Sequence, residues 1–289
     1  MISPYLITPV SAEHREVCLW SSVRLPFEPK GWVREMRNEL RVAVSALSTT
    51  PDEVLQALYL STETGTFDVE NVLFYNVGSG CFAPSTTNGL RFEQAQVACL
   101  PGEPKAPFSH FHQYAPAPHD GAFLKCGEGR TIARWRISLG SAEALASAGA
   151  VWLALKQGMI EVDRRSQPLE RLSVRMKLTG PDPQRMKATS LVKPLIDGLI
   201  SAFHVHNGVD LEVVAERLGR QLSITPGRVA RLLLDKQHEV LGERRLLWPW
   251  RDRVQWNPAD DALVACELLI ERGSEWVLSG SLAEAPSLD

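Results

Sequence analysis

The chain has 289 residues, and its 31 Lys and Arg side chains against 34 Asp and Glu side chains give a net charge of −3. This balance argues against a protein that coats nucleic acid through bulk charge, but it leaves room for a local basic groove. Hydrophobic residues at 44% and charged residues at 22% exclude wholesale disorder and predict one large or two ordinary folded domains.

The hydropathy pattern of the sequence predicts neither a membrane span nor a signal peptide. No apolar run reaches the roughly 18–20 residues of a membrane span, and the N-terminal segment lacks the basic start and apolar stretch of a signal peptide. The 5 cysteines are scattered and form no CxxC pair. These features predict a reduced, cytoplasmic protein without a membrane segment.

The first half of the chain predicts the element order β-α-β-α-β. Apolar residues at three- and four-residue steps over 32–47 indicate an amphipathic helix, and the short apolar segment 67–77 is interpreted as a second helix. Interleaved or apolar runs predict the strands, which are residues 16–25, 55–63 and 90–99.

The second half repeats this order. Its predicted strands are residues 131–139, 172–178 and 261–272, and its predicted helices are residues 141–157 and 190–203. An insertion over 207–255 carries two short helical patterns, 211–218 and 228–234. The repeated order suggests either a tandem duplication or two similar subdomains packed as a pseudo-dimer.

These elements predict an α+β fold in three parts. The division is an N-terminal subdomain over 1–100, a Pro-rich linker over 101–130, and a C-terminal subdomain over 131–289 that contains the helical insertion. Proline and glycine are frequent in the middle part and break regular structure there, which is why it is interpreted as a linker.

Carboxylates at element ends suggest a metal site. Asp68 and Glu70 open the second predicted helix, and Asp260 with Asp261 precede the last predicted strand. Hard divalent cations such as Mg²⁺ bind several carboxylate oxygens, and such ions can clamp the attacking and leaving oxygens of a phosphodiester. The alternative is that these residues stabilise a helix N-terminus and fill a turn.

The segments SLVKPLIDGLISAF and WNPADDALVACELLIER resemble the core of the RusA-like Holliday junction resolvases. That family has an Asp-x-Asp-Asn helix start, a lysine three residues later, an aspartate on the same helix, and an Asp-Asp pair before the last strand. Ser190 occupies the Asn position, Lys193 matches the lysine, Asp197 matches the helix aspartate, and Asp260 and Asp261 match the pair. The resemblance implies a dimeric, Mg²⁺-dependent endonuclease that acts on branched DNA.

Neither half matches the family pattern completely. Lys187 and Thr189 replace the two leading carboxylates in the second half. In the first half, Asp68 and Glu70 fit the helix start, but Phe74 replaces the lysine. Three hypotheses follow: a nucleic-acid-associated protein with a degenerate metal site, an active endonuclease whose two partial sets meet in one composite site, or a non-catalytic subunit of a larger assembly.

A second constellation consists of His110, His112, His119 and Cys126. Imidazole and thiolate groups are zinc ligands, and a His-x-His pair on a strand places both rings on one face. Their spacing fits no structural zinc pattern, so solvated loop histidines are the alternative interpretation.

Two further regions carry possible nucleic-acid contacts. The insertion resembles a helix-turn-helix, with Arg228 and Arg231 on its second helix, although the break over 219–227 is long for that motif. A hairpin of helices packed on the body is the alternative. Aromatic and basic residues also cluster late in the chain and fit either base stacking or a protein interface. They are Arg244, Arg245, Trp248, Trp250, Arg251 and Arg253.

Overall fold

A computed structural model describes residues 3–11, 15–65, 67–102, 107–164, 170–183, 186–258 and 260–286. Strands and helices are mixed along the chain, which confirms the predicted α+β class. The strands are Tyr5–Thr8 (β1), Val17–Ser21 (β2), Glu53–Ser61 (β3), Gly89–Gln96 (β4), His110–Pro118 (β5), Thr131–Ser138 (β6), Ile160–Val162 (β7), Leu172–Gly180 (β8), Val205–His206 (β9), Glu243–Arg244 (β10), Leu247–Trp250 (β11), Arg253–Trp256 (β12), Leu263–Arg272 (β13) and Val277–Glu284 (β14).

The α-helices are Trp32–Ser45 (α1), Ala142–Leu145 (α2), Ala148–Gln157 (α3), Ala188–Ala202 (α4), Leu211–Leu222 (α5) and Pro226–Leu233 (α6). A π-helix spans Asn71–Tyr75, and 3-10 helices span Ser79–Ser85 and Asp260–Ala262. Within the described ranges, no helix combines the length and apolar character needed to cross a bilayer.

The central sheet has ten strands in the order β1-β2-β5-β3-β4-β13-β8-β14-β6-β7 among the described residues. In the first half, β3 pairs parallel with β4 and antiparallel with β5. In the second half, β8 pairs parallel with β13 and antiparallel with β14. The two halves therefore repeat one pairing pattern, and the antiparallel pair β4–β13 joins them at the middle.

The main core lies between this sheet and the helices. Met36, Leu40 and Val44 share one face of α1 because residues four apart on a helix are neighbours, and all three are fully buried. From the strands, alternate residues such as Val174 and Leu178 enter the same core. Each such side chain contributes about 1.5–3 kcal/mol through its burial.

A buried ion pair crosses the β4–β13 junction on the other face of the sheet. The Arg91 guanidinium donates from Nε to Glu267 Oε2 at 2.7 Å, and Nη2 lies 2.6 Å from the same oxygen. Arg91 also donates to the carbonyl of His119 at 3.0 Å. The pair therefore links the first half, the second half and the segment between them.

The predicted linker over 101–130 is wrong for residues 110–118, because they form β5 between β2 and β3. Two of the prolines that suggested a linker, Pro116 and Pro118, lie at the far end of this strand. β2 pairs only with residues 110–114, so Pro116 and Pro118 have no neighbour on that side. A proline is tolerated where its missing N–H faces no partner strand.

The insertion packs on the body through its apolar helix faces. Val214 and Leu218 of α5 and Val229 and Leu233 of α6 are buried, as the hairpin alternative predicts. Because α5 extends to Leu222 and α6 begins at Pro226, three residues separate the helices, and the long predicted break over 219–227 is wrong. This length fits the turn of a helix-turn-helix as well.

Candidate metal centre

One end of the sheet brings the two halves of the chain together. The first half contributes the segment that follows β3, and the second half contributes the residues that precede β13. Gln94 of β4 ties both segments to the sheet, because its Nε2 donates to the carbonyls of Phe67 at 2.8 Å and Leu263 at 3.1 Å. The backbone on either side of the site is thus fixed by one buried amide.

Helix α4 supplies a lysine to this end of the sheet. A Cβ at Gly198 would lie 2.5 Å from the carbonyl oxygen of Ala148, so glycine allows α4 to pack closely against α3. Lys193 and Asp197 lie one turn apart on α4, and their side chains form an i,i+4 ion pair at 3.2 Å. The packing of α4 therefore determines where the ammonium group lies.

Carboxylates from both halves surround this ammonium group. Lys193 Nζ lies 2.8 Å from Glu70 Oε1 and 3.3 Å from Asp68 Oδ2, and it also contacts Asp260 Oδ2. With Asp197, four carboxyl groups face one cation, and two of the four come from the first half.

Three of these side chains form a set that can hold a metal ion. Asp68, Glu70 and Asp260 each offer an oxygen within 4.8 Å of the others, and no second group of this kind occurs within the described part of the chain. Glu70 is fully buried, and Lys193 is its ion-pair partner among the described residues. Carboxylate oxygens are the ligands that Mg²⁺ and Ca²⁺ prefer, so the donor set fits a hard divalent cation.

Burial and crowding of like charges change the proton affinity of these groups. Burial raises the pKa of Glu70 well above its usual value, the adjacent Asp68 raises it further, and Lys193 opposes the change. Burial likewise raises the pKa of Asp197 to about 6, against the effect of Lys193. Burial lowers the pKa of Lys193, but Glu70 and the other three carboxylates outweigh this and raise it. A cation with more than one charge would relieve the remaining repulsion.

Asp261 is the chain neighbour of Asp260 but is not part of the three-carboxylate set. It was predicted as a ligand together with Asp260, but it does not belong to the group of three and instead lines an adjacent cleft. The two residues sit in the same 3-10 helix, so adjacent side chains point in different directions.

The residues at the remaining motif positions of the two halves do not form a second charged site. Thr189, which replaces a carboxylate, donates from Oγ1 to the carbonyl of Ser79 at 3.1 Å. Phe74, which replaces the lysine, is buried with its ring 5.2 Å from Phe82 and 5.3 Å from Phe92. Lys187 immediately precedes α4. Each half therefore lacks part of the charged set: the second half has Thr189 where the first has a carboxylate, and the first half has Phe74 where the second has Lys193.

The predicted zinc set does not assemble. His110 Nδ1 is hydrogen bonded to Tyr59 Oη at 2.8 Å, and His112 Nδ1 to Tyr114 Oη at 3.2 Å. His119 lies 4.0 Å from Glu271, and Cys126 lies in a separate small apolar cluster. The two strand histidines are buried, so the alternative of solvated loop histidines is also wrong for them.

The predicted cluster of Trp and Arg residues lies in and next to a β-hairpin formed by β11 and β12. Trp250 is 55% exposed, and the Arg251 guanidinium lies 5.8 Å from its ring centre. Arg245 lies 5.7 Å from the Trp248 ring and forms an ion pair with Asp210. The remaining predicted contacts differ in exposure, with Arg244 partly buried and Arg228, Arg231 and Arg253 exposed.

Comparisons with known proteins add no family. No family model and no curated protein matches the chain. A solved structure titled "Cyanuric acid hydrolase: evolutionary innovation by structural concatenation." aligns over 97% of this chain and 68% of that chain, at 11% identity and a TM-score of 0.17. A likeness this low carries no argument about fold or function.

Proposed function

We propose that the protein is a divalent-metal-dependent endonuclease with one composite active site, built from partial residue sets in the two halves of the chain. The single observation that supports this function is the convergence of Asp68 and Glu70 with Asp260 around Lys193. The substrate class, branched DNA, comes from the resemblance to the RusA-like resolvases.

The net negative charge of the site supports the proposal that it binds a divalent ion. One ammonium group compensates one of the four carboxyl groups, and Glu70 is completely removed from solvent. Buried like charges are unfavourable without compensation. Asp68, Glu70 and Asp260 would hold the ion, which when bound polarises a phosphodiester and activates water.

Lys193 and Asp197 have different roles in this proposal. The Lys193 ammonium group contacts a phosphate oxygen of the substrate, and Asp197 holds the Lys193 side chain in position through the i,i+4 contact. Burial raises the pKa of Asp197 to about 6, so this carboxyl group gains a proton as the pH falls below that value. Tyr75 also lies close to the cluster, and burial and then Glu70 raise its pKa to about 12, which keeps its hydroxyl protonated.

A second candidate is a nucleic-acid-binding protein with a degenerate site. The observation in its favour is the position of Lys193 Nζ, which contacts all four carboxylates and partly neutralises them without an ion. In that case the cluster is a structural junction between the halves. A non-catalytic assembly subunit is the third hypothesis, and Trp250 is the exposed side chain it would use.

The decisive experiment compares Asp260→Asn with Asp261→Asn, adjacent residues inside and outside the ligand set. For the wild type, we expect Mg²⁺ or Mn²⁺ to raise the melting temperature by mass action and to support cleavage of a four-way DNA junction. Asp260→Asn should lose both effects, and Asp261→Asn should keep the metal-dependent rise in melting temperature.

Other outcomes select between the hypotheses. A wild-type protein that neither responds to metal nor cleaves junctions contradicts the nuclease proposal. Junction binding in EDTA would then support the degenerate binder, whereas absence of binding would support the assembly subunit.

A further inference from the structure

A cleft of about 680 Å³ opens directly beside the candidate metal centre. Phe67 and Asp261 both line it, and they are the chain neighbours of Asp68 and Asp260. Its other walls come from the end of β3 with the residues after it, the end of β4 with the residues after it, the residues before β8, and Val264 of β13. A nucleic-acid strand whose phosphate reaches the carboxylates would therefore place its adjoining nucleoside at this cleft. Its volume lies within the roughly 300–1,000 Å³ of small-molecule sites.

The charges of the cleft favour an uncharged part of the nucleotide. Glu63, Glu170 and Asp261 line it together with one basic residue, Arg171. A phosphate group would meet more negative than positive charge there. Carboxylates instead accept hydrogen bonds from the amino groups of bases, as Glu and Asp do with cytosine.

The cleft also has surfaces on which a base can stack. Phe67 forms the wall next to Asp68, and Tyr59, which also lines the cleft, lies with its ring centre 6.0 Å from that of Phe67. The Arg24 guanidinium lies outside the lining and covers one face of the Phe67 ring at 4.3 Å. Aromatic rings stack with unpaired bases. Gln96 is exposed at the end of β4 and lines the cleft, whereas the Gln94 amide donates to two backbone carbonyls.

We infer that this cleft binds the unpaired base next to the cleaved phosphate, with a preference for a base that carries an amino group. This inference rests on the proposed endonuclease function and makes its substrate more specific. A single base fits the cleft only when it is out of the duplex, so the substrate would have an unpaired nucleotide beside the scissile bond, as at an opened branch point.

The test uses the full-length protein with Ca²⁺ in place of Mg²⁺ and a DNA junction that carries one unpaired 2-aminopurine at the branch point. We expect binding to quench the 2-aminopurine fluorescence through stacking. Phe67→Leu, which keeps an apolar side chain for the core contact, should remove the quenching and weaken binding about tenfold, within the range of one lost stacking contact.

Trp250→Ala tests the competing position for the base, because Trp250 is an exposed aromatic side chain of the β11–β12 hairpin and was predicted as a nucleic-acid contact. Loss of quenching in Trp250→Ala but not in Phe67→Leu would overturn the inference and place the base at the hairpin. Wild-type cleavage without quenching would also overturn it while the proposed function stands. Quenching without any metal response or cleavage would support the base site and contradict the nuclease.

Discussion

Lys193 Nζ lies 2.8 Å from Glu70 Oε1, and this contact joins the second half of the chain to the first. Lys193 lies in a segment that resembles a RusA-like site without its preceding carboxylates, and Glu70 follows Asp68 in a segment that resembles the same site without its lysine. Each residue completes the partial set of the other half. The degenerate appearance of the two motifs is therefore compatible with one complete charged site.

Replacing the cation should expose the repulsion among the carboxylates. In metal-free buffer, we expect Lys193→Met to lower the free energy of unfolding by at least about 2 kcal/mol, because removing one partner of a buried ion pair leaves uncompensated charge. Added Ca²⁺ should recover most of this loss through binding to the folded state.

Urea denaturation with and without Ca²⁺ measures this effect. The control is Lys177→Met, which breaks the more exposed pair with Glu271 at 2.7 Å and should cost less than about 1 kcal/mol. Equal destabilisation by the two variants, with no recovery by Ca²⁺ in Lys193→Met, would contradict a charge-driven site.

The amide of Gln94 should control metal affinity without contacting the metal. Gln94→Glu replaces the donor to the Phe67 and Leu263 carbonyls with an acceptor, so both segments that carry ligands lose their hydrogen bond. We expect the metal affinity to fall by about 10- to 100-fold, as for other residues that orient ligands. Isothermal titration calorimetry with Mn²⁺ measures it directly.

Gln56→Glu is the matched control for this change. Gln56 is also a buried strand glutamine, and its amide donates to the carbonyl of Ala122 at 3.4 Å, away from the ligand segments. A loss of affinity as large as that in Gln94→Glu would show a general effect of buried charge on the sheet.

Much of the fold follows from local patterns. The amphipathic period over 32–47 predicts α1, and the alternation over 172–178 predicts β8 because one face of that strand is buried. Among the strands that were not predicted, β5 and β14 are the longest, and neither carries such a pattern. Prolines mask β5, and the Ser- and Gly-rich sequence of β14 lacks the apolar alternation that identifies a strand.

The candidate site is only partly contained in local sequence. The charged residue types and their element ends could be predicted, but Lys193 and Asp68 are 125 residues apart and meet because β4 pairs with β13. No periodic pattern encodes that pairing. Gln94 could not be found either, since a single amide on a strand has no distinctive spacing, and its role depends on two carbonyls brought to it by the fold.

The buried pair at the junction of the halves should matter strongly for stability. Among the described residues, Arg91→Met would leave the buried Glu267 with Arg175, at 3.4 Å, as its ion-pair partner, and would remove the donor to the His119 carbonyl. We expect a loss of about 3 kcal/mol in the free energy of unfolding.

A double-mutant cycle with Glu267→Met tests whether this loss belongs to the pair. The double variant should be destabilised by less than the sum of the single variants, because no buried charge remains unpaired. Additive losses would mean that the two side chains act independently.

Acid should destabilise the protein partly through His112. Burial, followed by the charge of His110, lowers the pKa of His112 to about 3, so the folded protein keeps this ring neutral. The unfolded chain binds a proton below about pH 6.5, so this contribution to stability is present above that pH and is lost as the pH falls toward 3. His112→Phe removes the titration and keeps a ring in the core.

Between pH 7 and pH 4.5, we expect the wild type to lose about 2.5 kcal/mol more free energy of unfolding than His112→Phe, since each pH unit below the unfolded pKa costs about 1.4 kcal/mol. Urea denaturation of both proteins across this range measures the difference, and effects from other titrating groups cancel in the comparison. Tyr114 keeps a partner in the variant, because its hydroxyl donates to the carbonyl of Leu73 at 2.8 Å. Parallel pH profiles for the two proteins would mean that His112 becomes protonated in the folded state as readily as in the unfolded chain.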